Sequence, residues 1–311
     1  MLTAGKACSI LVVCVALLLA SPLPLSRKFL GYGSVWARTW RHPECSRLQG
    51  AVASYRLVFG SSAPEARGAD SLRHRRAEGN LEEWDSELGR FWIPKGNQGS
   101  LAYLMAEYER GSNRGTVKKG DVVLDCGANV GTFTREALNA GARLVVAIEP
   151  LPVNIESLKR TFEKEISAGT VVVYGKGVWD KAEATLMTVP ANTELGTVVM
   201  HQEVKSLGEK TESVSVDLVT IDQLVKELHL PSVDAIKMDI EGAERKALAG
   251  AASTLKQFRP GLAIAGYHLA DDPEAVSALL RHSGVNYERG PCSCFLVFGR
   301  IMPETLFYRP L

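Results

Sequence analysis

Acidic and small residues stand together at Asp125, Gly127, Asn129 and Gly131, inside the run DVVLDCGANVGTF from Asp121 to Phe133. The two glycines let a backbone turn sharply and approach a ligand with no Cβ in the way. A pyrophosphate-binding loop of the G-x-G-x-x-G kind would carry glycine where this chain has Asp125, because the phosphates need bare N–H groups there. A carboxylate at that point repels phosphate and suits a ligand with positive charge. There is also no G-x-x-x-x-G-K-[ST] run, which excludes a P-loop. About twenty residues on, Glu149-Pro150 closes the next apolar run, where a carboxylate can accept hydrogen bonds from both hydroxyls of a ribose. A glycine loop with two acids describes a nucleoside with a cationic tail, and S-adenosylmethionine, with its sulfonium and amino groups, fits that description.

A second group lies in KMDIEGAE and GYH. Asp239 and Glu241 are two apart, so on extended backbone both project to one side. Gly242 then admits a turn. Glu244 reads as a first-turn acid facing the exposed N–H groups of a helix, a duty that Glu241 could share. His268 closes the following apolar run. Asp239 or His268 could take a proton from a reacting hydroxyl, and Lys237 could pair with Asp239 or Glu241. An Asp239, Glu241 and His268 cluster could instead hold a divalent ion that lowers the hydroxyl pKa, but no tight ligand spacing demands it, and the expected metal set is none.

Short apolar runs alternating with amphipathic segments must position these residues. Strands are expected at Val122–Leu124, Leu144–Ile148, Thr170–Trp179, Val233–Ile240, Gly261–His268 and Cys294–Ile301. Helices are expected after the glycine loop, from Pro152, over Ala243–Phe258 and over Asp271–Gly284. Such alternation implies an α/β fold with a mostly parallel sheet covered on both faces, binding its ligand beyond the carboxyl ends of the strands.

The stretch VVLDCGANVGTFTREALNAGARLVVAIEPLPVNIESLKRTF, then KGVWD, SVSVDLVTIDQL, VDAIKMDIEGAERKALAGA and GYH, resembles the FkbM family of S-adenosylmethionine-dependent methyltransferases from about Gly120 to His268. The resemblance implies a class I methyltransferase, Rossmann-like fold with a seven-stranded, mostly parallel sheet and a reversed final hairpin. It also implies transfer of a methyl group to a hydroxyl oxygen of a sugar, polyketide or similar small acceptor. On that basis Asp125, Gly127, Asn129 and Gly131 hold the methionine portion, Glu149 the ribose, and Val178 and Trp179 lie beside adenine. Packing is the other reading of Trp179. Asp239, Glu241 and His268 are the candidate catalytic residues. A membrane-tethered nucleoside-binding module without catalysis is the alternative function.

Residues 1–26 carry an uninterrupted apolar run from Ala7 to Ala20, read as a membrane anchor or signal peptide. Residues 27–80 are arginine-rich and read as a basic flexible linker, 81–118 as a helical lead-in, and 119–311 as the methyltransferase domain. Net charge is +1 and the main domain is nearly balanced, so no nucleic-acid footprint is present. The six cysteines match neither a zinc pattern nor a dense disulfide framework, and free thiols are expected. Basic residues after the apolar run, and cytosolic supply of the cofactor, point to an anchored enzyme facing the cytoplasm. Secretion after cleavage is the alternative. The acceptor pocket is expected to draw on Trp92–Tyr108 and Ala184–Ser215.

Overall fold

The computed structural model describes residue 45 and residues 71–110, 115–190, 211–292, 294–297 and 300–311. The anchor or signal reading of residues 1–26 therefore lies outside the described residues, among which no helix is long and apolar enough to cross a membrane. The chain divides into two compact units, one of Ala63–Cys292 with Glu304–Leu311 and one of Met1–Ser62 with Ser293–Pro303.

In the larger unit, parallel strands form where valine, isoleucine and leucine run without interruption. These are β4 (Val122–Cys126), β5 (Leu144–Ile148), β6 (Val171–Tyr174), β10 (Ala235–Met238) and β11 (Gly261–Ala265). Every residue of β4 is buried, as a strand covered on both faces requires. The seven-stranded sheet has the order β12-β15-β11-β10-β4-β5-β6, where β12 is Tyr287–Arg289 and β15 is Thr305–Pro310. Only β15 runs against its neighbours. This is the α/β sheet with a reversed final strand expected of a class I methyltransferase.

Side chains alternate across the sheet. Val123, Val145 and Ala235 pack under α2 (Thr132–Asn139) with Phe133 and Ala137, and Ala147 packs with Leu158 of α3 (Pro152–Thr161) and Phe162. Leu124, Val146, Ile236 and Met238 point the other way, into the main core. That core includes Leu224 of α5 (Ile221–Glu227), Leu248 of α6 (Glu244–Ala249), Leu255 of α7 (Ala252–Phe258) and Leu280 of α8 (Asp272–His282). A short α4 (Glu163–Ser167) follows α3.

Several boundaries differ from expectation. The helix expected over Ala243–Phe258 is two helices: the Gly250 carbonyl accepts the Asp222 N–H at 3.0 Å, and the Asp222 carboxylate accepts the N–H groups of Ser253 and Thr254 at the start of the second helix. Expected strand Thr170–Trp179 divides between β6 and β7 (Gly177–Val178), the latter pairing with β9 (Thr211–Val219) in a separate sheet with β8 (Glu183–Pro190). Residues 191–210, within the stretch Ala184–Ser215 expected to contribute to the acceptor pocket, lie outside the described residues.

The basic linker expected over 27–80 ends earlier than that. Residues 73–78 form β1 (Arg73–Glu78), which pairs with β2 (Leu81–Ser86), which pairs in turn with β3 (Gly89–Pro94). Opposite charges face each other across β1 and β2, with Arg75 paired to Asp85 and Arg76 to Glu83. The lead-in over 81–118 is thus sheet first and helix second, with α1 at Gln98–Arg110. The expected final strand at Cys294–Ile301 is instead a hairpin of β13 (Cys294–Val297) and β14 (Arg300–Pro303) in the smaller unit. There Cys294 forms a disulfide with Cys45, correcting the expectation of free thiols, while Cys126 and Cys292 are buried cysteines outside that bond.

Candidate active site

A cleft of about 1160 Å³, counted with its mouth, opens at the carboxyl ends of β4, β5 and β10. Its floor is the turn after β4. Gly127 has φ +81°, and a Cβ there would lie 2.0 Å from the Asp239 carbonyl oxygen, so only glycine fits. The N–H groups of Gly127 and Ala128 both donate to the Ile148 carbonyl at 3.0 Å, tying the turn to the end of β5. Asn129, at φ +50°, lines the cleft and donates its backbone N–H to Glu149 Oε2 at 3.0 Å.

Asp125 is not in the cleft. Strand β4 continues to Cys126, so alternation turns Asp125 under α2, where it is fully buried. Thr134 Oγ1 donates to its Oδ2 at 2.7 Å, and Lys237 Nζ lies 3.5 Å from its Oδ1. Lys237, opposite Asp125 in the β10–β4 register, also donates to the Gly127 carbonyl at 2.9 Å. It therefore pairs with Asp125, in place of the expected Asp239 or Glu241. Gly131 is likewise away from the cleft wall, and a Cβ on it would collide with the Phe162 ring at 2.3 Å. Both residues fix the turn from behind.

Glu149 is buried and lines the cleft. Its Oε1 accepts from the Leu151 N–H at 3.0 Å and from Asn154 Nδ2 at 3.4 Å. Burial raises its pKa, against the hydrogen bonds from Leu151, Asn129 and Asn154 and the charge of Lys237. With three donors engaged, a carboxylate of about four acceptor sites keeps room for a ligand hydroxyl. Val178 lines the adjoining apolar wall with Met187 and Leu218. Trp179 does not: it packs against the cluster of Leu151, Met187, Val216 and Leu218, and Lys246 Nζ stands 5.8 Å over its ring. Its packing reading is the one that matches, because the chain turns at the end of β7 and Val178 takes the cleft side.

The other end of the cleft collects Asp239, Glu241 and Tyr267. Strand β10 ends at Met238, and Glu241 has φ +56°, so these residues do not share a face of extended backbone as expected. The turn still brings both acids to His268: Asp239 Oδ1 lies 3.5 Å from its Nε2 and Glu241 Oε2 3.4 Å. His268 is three residues beyond the end of β11, backs the two acids and has a side chain only 9% exposed. Its Nδ1 is 2.9 Å from Glu244 Oε1, which also accepts the Ile240 N–H at 2.9 Å. Glu244 is fully buried, so its part is larger than the expected first-turn acid. Burial lowers the His268 pKa, but Glu244, Asp239 and Glu241 outweigh it and hold the value at about 9. Burial lifts Glu241 to about 7, opposed by His268 and aided by Asp239 and Glu244.

Sequence reading missed Ser100, Tyr103 and Leu104 of α1 as individuals, although the stretch that holds them was expected to contribute. They cover the cleft together with Thr132 and Phe133. Trp92, in the same stretch, lies outside it, with Arg76 and Arg160 each 5.1 Å from its ring centre. Among the described residues of Ala184–Ser215, Met187 of β8 reaches the cleft.

Comparisons with known proteins show what the chain is similar to. The Methyltransferase FkbM domain matches residues 125–287. The hexuronic acid methyltransferase AglP of Haloferax volcanii is 24% identical over 202 residues, covering 65% of this chain and 75% of that protein. The 31-O-demethyl-FK506 methyltransferase FkbM of Streptomyces tacrolimicus is 28% identical over 159 residues, 43% of this chain and 60% of that protein. Among solved structures, the methyltransferase FkbM from Methylobacillus flagellatus KT aligns at 16% identity with a TM-score of 0.48, over 92% of this chain and 59% of that one. With that domain matched across just over half of its 311 residues, the chain belongs to the FkbM family of S-adenosylmethionine-dependent methyltransferases.

Proposed function

We propose that the protein methylates a hydroxyl oxygen of a small acceptor, a sugar acid or another polyhydroxylated compound, using S-adenosylmethionine held between the Gly127–Asn129 turn and Glu149. The observation that carries this reading is one cleft with a ribose-type carboxylate, Glu149, at one end and the Asp239 carboxylate at the other. The residues present fit the cofactor. Glu149 keeps acceptor capacity for ribose, Val178, Met187 and Leu218 offer an apolar wall for the base, and the bare Gly127 backbone admits the methionine portion. When bound, the cofactor supplies an electrophilic methyl on a sulfonium.

The chain's own residues then align, exclude water and take a proton. Ser100, Tyr103 and Leu104 cover the cleft from α1, which favours a dry site and a fixed line of attack. As the acceptor oxygen bonds to the methyl and the sulfur–methyl bond breaks, the hydroxyl proton passes to Asp239, which lines the cleft with Glu241 and Tyr267. His268, set behind it, orients the acids. The names of the two curated relatives, one acting on a hexuronic acid and one on an O-demethylated macrolide, favour oxygen as the acceptor atom. Both are methyltransferases, which favours catalysis over the alternative of a binding module.

Incubation with methyl-labelled S-adenosylmethionine and a panel of uronic acids, sugars and hydroxylated macrolides tests this reading. Label on oxygen, reduced about 10²–10⁴-fold in Asp239→Asn with S-adenosylhomocysteine still bound, is expected. Label on nitrogen or carbon, or unchanged turnover in that variant, would contradict it.

The disulfide bears on location. Such bonds persist in oxidising compartments and are rare in the cytosol, so the Cys45–Cys294 link favours the secretory alternative over the cytoplasm-facing anchor. The domain would then draw on imported cofactor.

A further inference from the structure

We propose that Asp239, Glu241 and His268 hold a divalent first-row metal ion on the wall of the cleft. The imidazole of His268 is fixed from behind. Glu244 is fully buried and its Oε1 already accepts from Ile240, so at 2.9 Å it takes the hydrogen on Nδ1. In the neutral ring that an ion would require, the free nitrogen is then Nε2, the arrangement in which a carboxylate behind a histidine sets its tautomer and aims its other nitrogen at an ion.

That nitrogen is buried and has no hydrogen-bond partner. It points into the gap between Asp239 Oδ1 at 3.5 Å and Glu241 Oε2 at 3.4 Å. A charge-assisted N–H···O bond closes to about 2.7–2.9 Å, so neither acid is placed to accept from it. Donors on one ion, with bonds of about 2.0–2.2 Å at tetrahedral angles, stand roughly 3.3–3.6 Å apart. Both separations fall in that interval. Donor atoms of Asp239, Glu244 and His268 also lie within 4.8 Å of one another. Glu244 Oε1 is engaged twice, so Glu244 is assigned the orienting role, and Glu241, which is not in that group, is assigned as the third donor on its 3.4 Å separation from His268 Nε2.

Charge and backbone point the same way. Three carboxylates, Asp239, Glu241 and Glu244, surround one imidazole, while the nearby Lys237 ammonium is directed to Asp125 and the Gly127 carbonyl. Glu241 holds a left-handed φ of +56°, a cost that a non-glycine residue bears where its side chain must be aimed. One imidazole with two carboxylates suits Mn²⁺, Fe²⁺ or Zn²⁺ better than Ca²⁺, which prefers oxygen donors alone.

Asp239 and Glu241 line the cleft and His268 backs them, so open coordination positions face the cavity. Resting on the reading of the cleft as a hydroxyl-methylating site, the ion would bind the acceptor oxygen and lower the pKa of its hydroxyl. The O–H bond would then break with its proton passing to the Asp239 carboxylate oxygen that is not on the ion, as the oxygen–methyl bond forms and the sulfur–methyl bond breaks.

The test is titration of the chelator-stripped full chain with Mn²⁺, followed by electron paramagnetic resonance. One bound ion per chain with nitrogen coupling from a single imidazole is expected. His268→Ala and Asp239→Asn should each abolish it, and Glu244→Gln should weaken it by about 10–100-fold, with S-adenosylhomocysteine affinity kept as the sign that each variant is folded. No Mn²⁺, Co²⁺ or Zn²⁺ binding at millimolar concentration by a chain that binds S-adenosylhomocysteine would overturn the site. So would bound Mn²⁺ without nitrogen coupling in the unmodified protein, whatever the variants do. An ion bound with the expected coupling, but no methyl transfer to any hydroxyl, supports the site and removes only the role given to it in the reaction.

Discussion

Asp125 and Gly127 sit two residues apart and do different work, and substitutions separate the two. A Cβ on Gly127 would overlap the Asp239 carbonyl oxygen at 2.0 Å on a backbone of φ +81°. Gly127→Ala should therefore cost roughly 1–3 kcal/mol of stability in urea unfolding, and should weaken S-adenosylhomocysteine binding because the turn must move. Asp125→Ala removes the buried carboxylate facing Lys237 and Thr134. Loss of one partner of such a buried pair costs about 3–5 kcal/mol, so unfolding should shift strongly. A variant that kept its stability and lost only cofactor affinity would restore the direct-contact role that sequence spacing suggested for Asp125. Trp179→Phe should leave that affinity unchanged, since the indole packs outside the cleft. Residue types at the strand ends were legible because carboxylates at the ends of apolar runs are rare. Their direction was not, because one more strand residue, Cys126, reverses which face Asp125 takes.

Elements were legible where the apolar pattern was continuous. Leu144–Ile148 forms a strand with the expected bounds, β10 and β11 fall within the expected runs, and β4 starts where expected but runs two residues further, to Cys126. The misses have local causes that packing decides. In the arginine-rich stretch, Gly79-Asn80 between Glu78 and Leu81 is a two-residue hairpin signal, overlooked because the flanking strand β1 is charged and fully exposed. The break between α6 and α7 is held by Asp222, contributed from distant sequence, and there a Cβ on Gly250 would stand 2.1 Å from the Trp179 carbonyl oxygen. Propensity alone would predict that Gly250→Ala stabilises a helix by roughly 0.5–1 kcal/mol. The contact predicts the opposite sign: thermal unfolding of Gly250→Ala should fall below that of the unmodified protein. The second cluster was visible as a spacing, Asp239, Glu241, Glu244 and then His268, but the Glu244 to His268 link needs the turn at Glu241-Gly242, which no alternation rule anticipates.

At the scale of the molecule, the disulfide is the feature that the cysteine count concealed, since residues 249 apart in sequence give no spacing pattern. Denaturing the protein without reductant and alkylating it should modify Cys126 and Cys292 and leave Cys45 and Cys294 untouched. Alkylation of all four would remove both the bond and the argument for an oxidising compartment. Without denaturant Cys126 should also resist, because complete burial and the neighbouring Asp125 hold its thiol well above the usual range. The seven-stranded sheet and its cleft belong to one unit, and the account of function rests on what that cleft holds. A crystal structure of the complex with S-adenosylhomocysteine measures this most directly. The account predicts ribose hydroxyls within hydrogen-bond distance of Glu149, the base against Val178, Met187 and Leu218, and sulfur facing Asp239. Ribose bound away from Glu149, or sulfur turned away from Asp239, would contradict it.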